Sequence, residues 1–108
     1  MHKGYTLNYF INFFKSIPDH RWTEGELQRG NTVQKCALGH CLTDQRTGKL
    51  VSNSESDLNT KAEALQDFLG NEVEAINDGD NTYFELGSTP RGRILRALRN
   101  RKRTGSVL

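Results

Sequence analysis

The chain has little of what staples or anchors a small protein. Its only cysteines are Cys36 and Cys41, too few for a secreted disulfide framework. Five positions apart on a helix, they point to different faces, so both are expected to be reduced. The longest strongly apolar stretch, Tyr9 to Phe14, is interrupted by Asn12 and ends at Lys15, far short of the ~20 residues of a membrane span. Met1-His2-Lys3-Gly4 lacks the basic, apolar and small-residue regions of a secretory leader, and the expected location is the cytoplasm. Gly79, Gly87 and Gly92 are scattered and form no phosphate-binding loop, which leaves nucleotide hydrolysis unsupported. Asp78-Gly79-Asp80-Asn81 fails as a calcium loop because Tyr83 falls where that motif requires glycine; it is expected to be a tight turn. There is no internal repeat.

What is present fits one small domain. A chain of 108 residues with 34% hydrophobic content is somewhat apolar-poor, yet at this size it buries roughly two-thirds of its unfolded surface and folds without a metal or disulfide. The formal net charge is +2, and it is unevenly spread. Arg91, Arg93, Arg96, Arg99, Arg101, Lys102 and Arg103 follow the last acid, Glu85; the preceding residues carry eight cations against thirteen acids, a net of minus five. Between Glu55 and Glu85 nine acids face only Lys61. An acidic middle therefore precedes a basic end, and this division is the clearest functional signal in the sequence.

Periodicity predicts four helices, over residues 5–17, 33–42, 57–69 and 90–101. Leu7, Phe10, Ile11 and Phe14 recur at helical spacing, and Pro18 closes that run. Residues 33–42 hold Cys36, Ala37, Gly39 and Cys41, small enough to admit a neighbouring helix closely. Leu58, Ala62, Leu65 and Leu69 form the third stripe, stopped by Gly70-Asn71. Thr89-Pro90 marks the start of the fourth, with Ile94, Leu95 and Leu98 on one side and arginines opposite. Trp22 is expected to pin the polar loop after Pro18. A minor extended pairing is expected between Leu50-Val51 or residues 73–76 and residues 83–86. The domain is read as residues 1–103, with 104–108 a disordered tail.

Several constellations bear chemistry. Cys36 and His40 at i, i+4 share a helix face and supply two metal ligands, to which His20 or His2 would have to be added; packed thiols are the better reading, and neither a metal nor a cofactor is expected. Cys36 near a helix start, with His20 as base oriented by Asp19, and Asn77 or Asp78 in the third role, sketches a thiol nucleophile. The loop from Trp22 to Cys36 together with Asn77-Asp78 is a candidate pocket wall, giving His20, Trp22, Cys36, His40, Asn77 and Asp78 as candidate pocket residues. The basic last helix presents a charged ridge suited to phosphates or to an acidic protein surface.

Trp22-Thr23-x-Gly25, Cys36-Ala37-Leu38-Gly39, Ile76-Asn77-Asp78 and Thr89-Pro90-x-x-Arg93-Ile94-Leu95, in that order, resemble an uncharacterised family of small bacterial and phage proteins classed as a domain of unknown function. The resemblance spans residues 5–100. It implies a compact, mainly helical protein of a bacterial cell or phage-infected host, and no reaction or catalytic residue. The basic run from Arg99 to Arg103 lies outside the shared motifs. The expectation is thus a mainly α, single-domain bundle of about four helices acting as a non-enzymatic interaction protein. It binds a protein partner or itself through the seven C-terminal cations and the acidic middle, with no membrane association. The alternatives are a sequence-independent nucleic-acid accessory protein and a cysteine-dependent enzyme using Cys36.

Overall fold

The computed structural model describes residues 4–30, 32–44, 46–50 and 56–108. Among them the chain forms helices α1 (Leu7–Lys15), α2 (Ala37–Cys41), α3 (Ser56–Leu69), α4 (Val73–Asp78) and α5 (Pro90–Thr104). One antiparallel hairpin, β1 (Thr43–Asp44) with β2 (Lys49–Leu50), completes the set together with three 3-10 turns. The mainly helical domain of about four helices with a small two-stranded extension is the one expected; its boundaries and strand partners differ.

α1 starts at Leu7 because Thr6 Oγ1 accepts a hydrogen bond from the Tyr9 amide at 3.0 Å, satisfying a donor that no helical carbonyl reaches. Phe10 and Phe14 are its fully buried residues. They run in a chain of aromatic contacts from Tyr5 through Phe10 and Phe14 to Trp22, with Phe10 also edge-on to Phe68 of α3 at 6.2 Å. The core closes around Leu65, Val73, Ile76, Ile94 and Leu98.

The second helix is shorter than the predicted 33–42 for a backbone reason. The Lys35 amide donates to Arg21 O and Lys35 O accepts from Thr23 N, both at 3.0 Å, while the Cys36 amide donates to Leu27 O at 3.1 Å. Those groups are committed to the preceding loop, and α2 begins only after Cys36, whose Sγ caps it by accepting from Gly39 N at 3.4 Å. Gly39 does admit a close neighbour, but the neighbour is that loop and not a helix: a Cβ here would lie 2.1 Å from Leu27 O.

The expected extended pairing is corrected as well. Residues 73–78 are helical, residues 83–86 form a 3-10 turn, and Leu50 pairs with Thr43 across a turn that includes Gly48 at φ +73°; Val51 lies outside the described residues. α4 ends at Gly79 (φ +73°), where a left-handed residue lets the chain reverse. α5 starts as expected, Thr89 Oγ1 accepting from Gly92 N at 3.0 Å with Pro90 at its head. It extends to Thr104. Beyond it, where a frayed tail was expected, Asn100 Nδ2 donates to Val107 O at 3.0 Å and Val107 packs against the core. α5 touches α1, α3 and α4, so every long element leans on the basic helix. No helix among the described residues is long and apolar enough to cross a membrane.

Candidate functional site

The seven C-terminal cations divide into two sets. A helix leaves its last carbonyls without amide partners, and three arginines of α5 reach three such ends. Arg91 Nη2 donates to Lys15 O at the end of α1, 2.9 Å away. Arg101 Nε donates to Phe68 O near the end of α3 at 3.1 Å, and its Nη1 donates to Gly105 O. Arg93 serves α4. Its Nε donates to Ile76 O at 3.1 Å and Asn77 O at 3.2 Å, and its Nη2 donates to Asn77 O at 2.6 Å. Nη1 reaches Gly87 O at 3.2 Å, and Nη2 also pairs with Glu24. Cationic side chains at helix C-termini complement the macrodipole as well as the hydrogen bonding.

The outward assignment of Arg93 is therefore wrong, because it is only 4% exposed; Arg91 and Arg101 are half-buried. At 3.6 residues per turn, position 93 lies on the flank shared with Ala97 and Asn100, both buried. Arg96, Arg99, Lys102 and Arg103 are exposed. Arg96, Arg99 and Arg103 fall within an arc of roughly 60° on the helix. Among the described residues, none of the four pairs with a carboxylate; Arg103 and Lys102 reach only the amide oxygens of Asn100 and Asn8.

The candidate pocket residues also separate. Cys36 and Asp78 line a cleft of about 160 Å³ with Gly25, Glu26, Leu27 and Glu74. Behind it Asn77, 1% exposed, ties three segments together. Its Oδ1 accepts from Ala37 N at 3.1 Å, and its Nδ2 donates to Thr23 O and Asp78 Oδ1, each at 2.9 Å. Asp78 Oδ1 in turn accepts from Gly25 N at 3.0 Å. Trp22 and His40 are buried framework: Trp22 Nε1 donates to Ile17 O at 3.1 Å, and His40 Nε2 bonds Arg21 O at 2.8 Å. Burial pushes the His40 imidazole down to about 4, so it is neutral and donates that bond. His20 is not at the cleft; it sits on an exposed 3-10 turn, its carbonyl bonded by Gln34.

Burial pushes the Cys36 thiol up, against the weaker pull of the Gly39 amide, and takes Cys41 to about 12. Both stay protonated at neutral pH, the opposite of an activated nucleophile. Among the described residues no group of three or more His, Cys, Asp or Glu is placed to hold a metal ion; His2 lies outside them. With Glu26, Glu74 and Asp78 on its walls and no cation there, the cleft repels anions. Exposed cations without a carboxylate partner among the described residues gather on the outer face of α5.

Sequence reasoning missed Glu24 as the partner of Arg93 and, although it expected α1, missed that this helix lies beside the exposed face of α5. α1 contains no acid, and its exposed Asn8, Asn12 and Lys15 stand at i, i+4 and i+7, a stripe legible once the question is where carboxylates are missing. Comparison with family models, with curated proteins and with solved structures finds no match.

Proposed function

We propose that this chain is a non-enzymatic interaction protein of phage or bacterial type, working in the cytoplasm and meeting an acidic partner through the outer face of α5. One observation carries the reading: Arg96, Arg99, Lys102 and Arg103 are exposed and free of carboxylates among the described residues, whereas the other three α5 cations bond backbone carbonyls. Four uncompensated charges on one short stretch raise the local potential and draw in an acidic surface. Two buried, unpaired thiols suit a reducing compartment. A second copy of the chain is one such surface, since Glu63, Glu72, Glu74 and Glu85 of the acidic middle are exposed.

A nucleic acid is the second partner class, favoured by the absence of a large exposed apolar side chain on α5. The cysteine-dependent alternative draws no support from the protonated, capping Cys36. The test is a pull-down from host lysate with the native chain and the Arg96→Glu/Arg99→Glu variant, each with and without nuclease. The expected result is a partner retained by the native chain and lost by the variant; equal retention by both removes α5 as the contact element.

A further inference from the structure

Resting on that reading, we infer that the occupant of the cationic face is the phosphate backbone of a nucleic-acid duplex, and that α1 and α5 together form the contact surface through Asn8, Asn12 and Lys15 on one helix and Arg96, Arg99, Lys102 and Arg103 on the other. The two helices lie side by side and antiparallel, tied at both ends: Lys102 Nζ donates to Asn8 Oδ1 at 2.6 Å, and Arg91 Nη2 donates to Lys15 O at 2.9 Å. Neither contains an acid. At 1.5 Å per residue, residues 96–103 extend about 10 Å along α5. That length matches roughly three phosphates of one strand at 3.4 Å each along the duplex axis.

The chemistry separates phosphate from protein. Stable protein interfaces have a desolvated apolar or aromatic centre, and the exposed large hydrophobics Leu27, Val33 and Phe84 lie on neither helix, with Leu108 beyond the end of α5. Guanidinium, ammonium and carboxamide groups alone remain, the side chains that contact phosphate oxygens. A single strand asks for aromatic platforms on which bases stack. The two half-buried aromatics on the flank of α1 are already engaged: the Lys61 ammonium lies 3.4 Å from the Phe13 ring centre and 5.4 Å from that of Tyr9. α5 is also packed against α1, α3 and α4, so it offers a face to lie on a backbone and not a free-standing helix to enter a groove. Binding is accordingly indifferent to sequence.

The experiment is fluorescence anisotropy of the full chain with two labelled duplexes of unrelated sequence and one matching single strand. With four phosphates neutralised, duplex affinity falls on the order of a hundredfold between about 50 and 200 mM salt. The expected result is equal affinity for both duplexes, weaker binding of the single strand and that salt dependence. Arg96→Glu/Arg99→Glu removes binding, and Asn8→Asp/Asn12→Asp lowers it about tenfold, the size of one lost charge-assisted contact, with melting temperatures unchanged in both variants. No binding at the lower salt overturns the inference, as does an Asn8→Asp/Asn12→Asp variant that binds like the native chain. If duplex is ignored while a nuclease-insensitive partner is still lost on Arg96→Glu/Arg99→Glu, the inference fails and the interaction reading stands. If that variant changes neither assay, the interaction reading fails too.

Discussion

Arg93 and Arg96 are three residues apart on one helix and live in opposite surroundings. Arg93 is 4% exposed, with every guanidinium nitrogen bonded to a helix-end carbonyl, to Gly87 O or to Glu24. Arg96 is exposed and has no partner among the described residues. The first arrangement spends a cation on holding α4 and the loop after Trp22 to α5; the second leaves a cation free for something outside the molecule. A run of basic residues in a sequence is thus not one feature. Each guanidinium has to be traced to its acceptors before it counts toward a binding surface, and here three of seven do not.

The sharpest way to break the comparison is to remove the inward member. Arg93→Met leaves Asn77 O without its donor and breaks the contacts to Ile76 O, Gly87 O and Glu24; it is expected to cost ~3–5 kcal/mol, the range for breaking a buried, hydrogen-bonded charge, read from urea midpoints. Glu24 is half-exposed and rehydrates, which limits the upper end.

Acid gives the next largest effect. His40 is held neutral in the fold, down to about 4 from an ordinary 6.5, so between those values the unfolded chain binds the proton and the folded chain does not. Stability is complete above pH 6.5 and falls as pH drops toward 4, by ~3 kcal/mol in all. His40→Gln flattens that part of the pH profile.

Arg91→Ala removes the contact to Lys15 O and Arg101→Ala those to Phe68 O and Gly105 O; half-exposed, each is expected to cost ~1 kcal/mol. Smallest is Arg96→Ser/Arg99→Ser, within ~0.5 kcal/mol of the native chain by the same urea measurement, although it abolishes partner binding. A stability loss there as large as that of Arg93→Met would erase the distinction between the two sets.

Much of the fold was legible in the sequence, and particular residues show why. Thr89-Pro90 announced α5 because an N-cap hydroxyl and a ring-fixed φ act locally. Phe10 and Phe14 announced α1 because nine residues suffice to display helical periodicity. α4, at six residues, spans less than two turns and shows no period to read. The loop from Trp22 to Lys35 was legible only in its tryptophan, since its order comes from backbone bonds such as Cys36 N to Leu27 O, which leave no side-chain signature.

The site was legible in part. Cys36 and Asp78 do meet at one cleft, but Asn77, Trp22 and His40 frame it and His20 stands apart. Arg93 could not be told from Arg96 because its acid partner, Glu24, lies 69 positions away, and nothing local distinguishes a guanidinium that turns inward from one that does not.

The most direct measurement is the nitrogen-15 spectrum of the arginine Nε–H groups, assigned by single Arg→Lys substitutions. Arg93 and Arg101 should give dispersed, slowly exchanging signals from Nε–H bonded to carbonyl oxygens, while Arg96 and Arg99 should coincide with free arginine and exchange rapidly with water. Protected, shifted signals from Arg96 and Arg99 in the isolated protein would mean that these side chains are already satisfied within the molecule, and would contradict the account.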